Sequence, residues 1–413
     1  NQVYDDLAKG KLTQEQALEK IKAIKLKEQN SDIGNQASVL IAAPQWQAEA
    51  VLASANQSAF QQHHVVLCGL SSVDSGQLKS SLSLSQCVQF QANTQKNIAD
   101  TYNDVAFSIF EVLQNILKGK PRGQVLVQLV IANDQEHSLH VGLSGLLKTA
   151  ALENPQIVAQ LILSNTNINT SDLTKQLQKD AAKSDDAVVK YENDIRYVQH
   201  WSEFSQSNNS ENNPTKDTYN VVFKDHGVYL ITGGLGGLGI LFAKEIIKQT
   251  TKATIILTGR SQLTAKKKST LDEISASGGK LIYRQLDIAN LQQVKDLVAT
   301  IQNEHKQLNG VIHSAGMTVD NFILKKTLTE FNQVLNPKVS GTFNLDQACQ
   351  NVDLDFLVLF SSVASWLGNV GQADYAAANG FMDQFAVYRN QLVQARQRSG
   401  KTLSINWPLW QQG

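Results

Sequence analysis

The chain of 413 residues has little cysteine, only six prolines and no excess of charge. Its three cysteines, Cys68, Cys87 and Cys349, lie far apart and none forms a CxxC pair. That excludes a disulfide framework or a cysteine zinc site and fits a reducing compartment. Lysine plus arginine and aspartate plus glutamate both total 37, which argues against a general nucleic-acid or anionic-membrane surface. No apolar run approaches the roughly 18–20 residues needed to cross a bilayer. The first residues, NQVYDDLAKGK, lack the basic-then-apolar order of a signal peptide. The histidines, His63 and His64 included, show no metal-ligand spacing, so no metal is expected. These absences describe a soluble, cytoplasmic chain without nucleic-acid or membrane partners, and the missing initiator methionine describes a piece of something longer.

Apolar patterning predicts an α/β protein. Residues 1–35 form a helical extension: Thr13 and Gln16 offer a capping box ahead of Ala17, Leu18, Ile21, Ile24 and Leu26. Residues 36–220 alternate candidate strands (38–43, 63–69, 123–131, 157–163) with candidate helices near 45–58, 98–118, 140–152 and 170–180. Gln45 and Trp46 are expected in the first strand-to-helix turn, where phosphate-binding glycines would otherwise stand. The Asn/Ser-rich stretch 206–217 reads as a boundary. Residues 221–413 then give six strands, at 227–232, 253–259, 280–287, 310–316, 355–362 and 402–407. The expectation is two Rossmann-like, doubly wound parallel-sheet subdomains. The N-terminal one is degenerate and the C-terminal one binds a dinucleotide.

The nucleotide signal is GVYLITGGLGGLG, a strand followed by Gly234-x-Gly236-x-x-Gly239 and a helix. Amide groups at that helix N-terminus face an anion, and the glycines admit the pyrophosphate and pack helix on sheet. The cradle is drawn from Thr232, Gly234, Leu235, Gly236, Leu238 and Gly239. After the second strand the chain has Thr-Gly-Arg-Ser in place of an acidic residue. Arg260 can meet a 2′-phosphate and Ser261 adds a hydroxyl, which selects NADPH over NADH. Asp287, with Ile288 beside it, falls where a carboxylate could accept from the adenine amino group; a turn aspartate explains it equally.

Ser362 and Tyr375 stand thirteen residues apart in FSSVASWLGNVGQADYAAANG, a hydroxyl and a phenol that could hold and protonate a carbonyl. The chain resembles the ketoreductase domains of modular polyketide synthases, members of the short-chain dehydrogenase/reductase superfamily. The likeness rests on TGGLGGLG, TGR, LDI, HSAG, NPKVSGT, FSS and YAAAN. It extends to VGLSGLLKTAALENP (141–155) and DIRYVQHW (194–201), which are similar to segments of the family's cofactor-less subdomain. The tone of YAAANGFMDQF and KLTQEQALEKI resembles the bacterial trans-acyltransferase type.

The resemblance implies that Tyr375 donates the proton, Ser362 is the second partner of the carbonyl, and Lys338 and Asn379 complete the set. Asn379 holds the place most of the superfamily gives to lysine, a swap similar to the family's own. By charge, Lys338 is expected to lower the phenol pKa, each unit stabilising the phenolate by about 1.4 kcal/mol. Ser314, Ala315 and Gly316 supply main-chain contacts at the nicotinamide ribose, His313 is not a strong catalytic candidate, and Trp407 and Pro408 border the nicotinamide.

The implied substrate is a β-ketoacyl thioester on the phosphopantetheine of an acyl carrier protein, with neighbouring synthase domains as further partners. Asp320 matches the last aspartate of the B-type motif, although Thr318 and Val319 depart from its Leu-Asp. Leu367 stands where A-type enzymes carry tryptophan, with Trp366 one place off. Both imply the D-configured alcohol. Ala377, in place of proline, implies an α-unsubstituted substrate. The family continues into a lid helix and final strand where this chain stops at NWPLWQQG. Two other readings fit parts of the pattern: a free-standing dehydrogenase on a small ketone or alcohol, and a catalytically silent docking module.

Overall fold

A computed structural model describes residues 41–51, 60–90, 95–203, 223–276 and 278–409. The helical extension at 1–35, the stretch 206–217 and the final residues 410–413 lie outside the described residues. By chain contacts there are two units. One is 1–45 with 201–213, described only at 41–45 and 201–203; the other, 46–200 with 214–413, contains every candidate site residue.

The first sheet comprises β1 (Ala42–Ala48), β2 (Gln62–Cys68), β3 (Gln86–Phe90), β4 (Val125–Ala132), β5 (Ile157–Ser164), β6 (Val188–Glu192) and β7 (Ile195–Glu203). Its order is β1-β7-β6-β5-β4-β2-β3. The second comprises β8 (Val228–Thr232), β9 (Thr254–Gly259), β10 (Lys280–Gln285), β11 (Gly310–His313), β12 (Phe356–Ser362) and β13 (Lys401–Trp407). Its order is β10-β9-β8-β11-β12-β13, parallel throughout. The described α-helices are α1 (Ser75–Ser81), α2 (Ile98–Lys118), α3 (Ser144–Glu153), α4 (Thr170–Ala181), α5 (Gly237–Gln249), α6 (Ala265–Ser275), α7 (Leu291–His305), α8 (Leu328–Ala348), α9 (Ala364–Leu367) and α10 (Ala373–Gln394), and a 3-10 helix at His137–Leu143 leads into α3.

Strand β4, VLVQLVIA, is buried at all eight positions, as a parallel strand covered on both faces must be. Helix α2 starts where the Asn97 side chain accepts from the Ala99 and Asp100 amides, and its buried residues recur at helical spacing. Helix α8 opens with a complete capping box between Thr327 and Glu330. One hydrophobic core joins β4 and α2 of the first half to α8 and α10 of the second. In it Phe110 meets Phe331 at 4.6 Å and Tyr102 meets Phe381 at 4.9 Å between ring centroids. Burying side chains of this size contributes roughly 1.5–3 kcal/mol each. At the tightest crossing Gly142 faces Gly380, and a β-carbon on either would run into the other's backbone.

In the second sheet strand order reverses between β8 and β11, opening a crevice at their carboxyl ends, where Thr232 pairs with His313. The first sheet differs from expectation in three places. Gln45 and Trp46 lie inside β1 rather than in a turn, because AAPQWQA runs on as an edge strand. No helix therefore begins at 45, and residues 52–59 lie outside the described set. Strands β6 and β7 form an antiparallel hairpin that the parallel reading omitted. Its turn is Asn193-Asp194, both at positive φ (50° and 63°), the turn chemistry such a two-residue connection demands. Helix α1 and edge strand β3 were also unforeseen, being short and only partly buried.

Candidate active site

The glycine-rich turn leaves β8 and enters α5 with Gly236 as N-cap and no capping side chain. The first-turn amides thus have no intrahelical acceptor and face outward. Gly233 has φ +63°, and a β-carbon there would lie 2.8 Å from the Ala315 backbone. At Gly236 the nearest atom to an added β-carbon is the Gly233 carbonyl at 3.2 Å. A dinucleotide pyrophosphate needs this shape and these donors, so the residues fit one. Leu235 and Leu238 pack against the core around β8 and β9.

Beyond β9, Arg260 is exposed and its guanidinium reaches Met317 Sδ at 3.4 Å. The loop carrying Arg260 and Ser261 is pinned by Tyr283, whose hydroxyl faces the Gly259 and Ser261 carbonyls, and by Gln285, which donates to the Arg260 carbonyl at 2.8 Å. Asp287 is exposed; its Oδ1 accepts from the Ala289 amide at 3.0 Å, which makes it a turn residue with one oxygen committed. Ile288 is buried, and its carbonyl accepts from Asn344 at 3.0 Å.

His313 is fully buried. Its Nε2 lies 3.0 Å from the Pro337 carbonyl, which can only accept, so Nε2 carries the proton and Nδ1 accepts from the Thr232 hydroxyl at 2.6 Å. Burial, joined by repulsion from Lys338, pulls its pKa down to about 3. It is a neutral strut between β8, β11 and the helix that bears Lys338. Ser314 turns back, donating its amide (3.1 Å) and hydroxyl (2.7 Å) to the Thr232 carbonyl. Gly316 follows; a β-carbon there would sit 2.7 Å from Lys338 Cε.

Lys338 is 3% exposed and donates to the Phe360 carbonyl at 2.8 Å. Its ammonium lies over the Tyr375 ring, 5.6 Å from the centroid. Burial lowers its pKa to about 8, with the Asp383 carboxylate opposing. Tyr375 is half-buried on the first turn of α10. Burial pushes its phenol upward; Asn379 and Ser362 pull it back, and Asp320 adds to the rise. This corrects the expected lowering by Lys338: the cost of taking a phenolate out of water outweighs the favourable partners. Asn379 is fully buried, with Nδ2 donating to the Tyr375 carbonyl at 2.7 Å and Oδ1 without a partner. The Ser362 hydroxyl accepts from the Ala364 amide at 3.2 Å. Trp407 packs on Phe360 at the end of β13, and Pro408 beyond it is exposed.

Asp320 is exposed, with both oxygens accepting from Gln372 Nε2 at 3.0 and 3.1 Å. Gln372 is the N-cap of α10, three residues before the phenol. Leu367 is 62% exposed on α9, while its neighbour Trp366 is buried. The sequence reading missed three supports. Lys326 and Asp374 form an ion pair at 2.6 Å, 0% and 1% exposed, and Asp374 also accepts from the Tyr375 amide. Asp383 gathers donors from Ser365 (2.6 Å), Ser404 (2.6 Å) and Asn406 (2.8 Å). Glu153 reaches across from α3 to the Ile323 and Gly371 amides. Only Asp383 left a trace in the sequence, standing four residues beyond Asn379 and eight beyond Tyr375 on one helix face.

A family model described as KR domain matches residues 227–412, and one described as beta-ketoacyl synthase-like, N-terminal, matches 86–180. Within that second span burial pushes the Cys87 thiol up, with Lys79 opposing, which disfavours a thiolate there. Polyketide synthase PksN of Bacillus subtilis (strain 168) is 40% identical over 354 residues, 86% of this chain. Polyketide synthase PksL of the same organism is also 40% identical over 86% of the chain. The chain spans 6% and 8% of the length of these two relatives. A crystal structure of a ketoreductase domain from the bacillaene assembly line aligns with a TM-score of 0.83 at 37% identity, covering 91% of this chain and 86% of that one.

Proposed function

The chain belongs to the ketoreductase-domain family of polyketide synthases, and from that premise we propose that it reduces a β-ketoacyl thioester, held on the phosphopantetheine of an acyl carrier protein, to the D-β-hydroxyacyl thioester with NADPH. In this reading 36–220 is the structural subdomain and 221–413 the catalytic one, with neighbouring synthase domains as partners. The free thiols Cys68, Cys87 and Cys349 suit the reducing cytoplasm as its compartment.

The carrying observation is that Lys338 lies over the Tyr375 ring while Asn379 and Ser362 act on its phenol, with Gly316, three residues past β11, against the Lys338 side chain. Amides of 237–239 would hold the pyrophosphate, and Arg260 the 2′-phosphate that separates NADPH from NADH. Bound there, the cofactor supplies a hydride to the ketone carbon. Tyr375 gives its phenolic proton to the oxygen, and Ser362 donates a hydrogen bond to the same atom as charge develops. The Lys338 ammonium, over the ring, stabilises the phenolate left behind. Asn379 Oδ1, a buried acceptor with no protein partner, can accept a hydrogen bond from a ribose hydroxyl or a water and so hold in place the group that returns a proton to Tyr375. Asp320 and Leu367, on the two segments flanking the phenol, support the D configuration.

The test follows nicotinamide absorbance with a β-ketoacyl thioester mimic. The native chain should turn over, and Tyr375→Phe should lose about 10²–10⁴-fold in kcat while still binding NADPH. A native chain inert towards every β-ketoacyl thioester would reject the reading. Mainly L alcohol on chiral analysis would reject its stereochemical part alone.

A further inference from the structure

Helix α3 belongs to the half without a nucleotide turn, yet its polar side chains are spent on the other half's backbone. Lys148 Nζ donates to the Trp366 carbonyl at 2.7 Å, and Thr149 Oγ1 accepts from the Asn369 amide at 3.1 Å. Glu153 holds two segments at once. Its Oε1 accepts from the Gly371 amide at 2.9 Å and its Oε2 from the Ile323 amide at 2.7 Å.

Those amides lie on the two strips of chain that border the reacting side chains. Residues 366–372 run from α9 to α10, between Ser362 and Tyr375, and carry Leu367. Residues 317–323 follow Gly316 and carry Asp320. The strips are also joined to each other. The Asn321 amide donates to the Gly371 carbonyl at 2.9 Å, and Gln372 donates to both oxygens of Asp320. A carboxylate with one oxygen on each strip fixes their separation through two charge-assisted bonds. A neutral amide in its place has one acceptor, so one backbone N–H would face an N–H.

We propose that Glu153 is a positioning residue for stereochemical outcome: by stapling 317–323 to 366–372 it sets the width and tilt of the cleft in which the ketone lies. That geometry decides which face of the carbonyl meets the hydride. The inference rests on the reductase reading above. A tenfold preference between faces needs only about 1.4 kcal/mol, so a small widening of the cleft suffices to erode it. The fold has a separate tie on the same strip, since Lys326 donates to the Val319 carbonyl while paired with Asp374. Loss of the Glu153 staple therefore loosens the cleft without releasing the loop.

The experiment compares native chain with Glu153→Gln, measuring NADPH binding and the ratio of the two β-hydroxyacyl products. The expected result is retained NADPH binding and a product ratio reduced about tenfold. A ratio equal to the native one overturns the proposal, as does loss of NADPH binding, which would mark Glu153 as a general structural residue. A native chain that reduces nothing overturns the reductase reading itself, an outcome distinct from an unchanged ratio. Should Glu153→Gln fail to fold, amide exchange on the native chain decides. Slow exchange at both Ile323 and Gly371 supports the staple; free-chain exchange at either one overturns it.

Discussion

The ammonium of Lys338 lies over the face of the Tyr375 ring, 5.6 Å from its centre, while one of its hydrogen bonds goes to the Phe360 carbonyl. In the proposed reaction it would act on the phenolate through the field of a buried charge, which a low-dielectric surrounding strengthens. That field exists only while Lys338 is protonated, and burial has brought its pKa down to about 8.

Reduction should therefore fall as pH rises through about 8, as the ammonium is lost. Lys338→Met should remove that basic limb and lower kcat below about pH 8, the gap to the native chain closing as pH rises past that value. The stability consequence has the opposite sign. The folded pKa lies below the ordinary lysine value of about 10.5, so the unfolded chain binds more protons between about 8 and 10.5, and stability gains from this group across that window. Rate profiles and denaturant titrations at several pH values check both halves.

Asp383 tests the electrostatics from the other side. Its carboxylate is buried among hydroxyl and amide donors and raises the Lys338 pKa. The same Ser365 and Asn406 side chains touch the Ser362 carbonyl at 2.8 and 3.2 Å. Asp383→Asn should shift the basic limb to lower pH and cost about 1–3 kcal/mol of stability through a mispaired buried group. An unmoved limb would separate Asp383 from Lys338.

The Lys326–Asp374 pair is buried on both sides, where two desolvated charges add little net stability. Asp374→Ala strands a buried ammonium beside Val319 and should cost about 3–5 kcal/mol. Replacing both partners, Lys326→Met with Asp374→Leu, should cost much less in the same denaturation measurement. Its product ratio would show whether the pair also serves the cleft.

Arg260 is exposed, with its guanidinium near Met317. Arg260→Gln should raise KM for NADPH by about 10–100-fold, the worth of a charged hydrogen bond, and leave KM for NADH nearly unchanged. Equal effects on both cofactors would remove the 2′-phosphate from its role.

Much of the C-terminal half was legible because its signals are local. All six predicted strands of the second sheet fall on β8 to β13 within a few residues, since each is a short apolar run bounded by turn residues. The glycine turn, Arg260 and the Tyr375–Asn379 face are likewise set by spacing within one or two elements. The hairpin of β6 and β7 was written in Asn193-Asp194 and went unread. The pKa direction of Tyr375 was not legible, because burial depends on what folds over the ring.

The amino-acid order by itself pointed to two alternating halves and a glycine turn between strand and helix, which follow from short-range pattern, and through a family resemblance to a candidate set of reacting groups. Only the tertiary structure decided who supports them. Glu153 meets Gly371, Lys326 meets Asp374, and His313 meets Pro337 across long stretches of chain. Such pairs are chosen by packing of whole elements, as where Gly142 crosses Gly380, and no local periodicity encodes that choice.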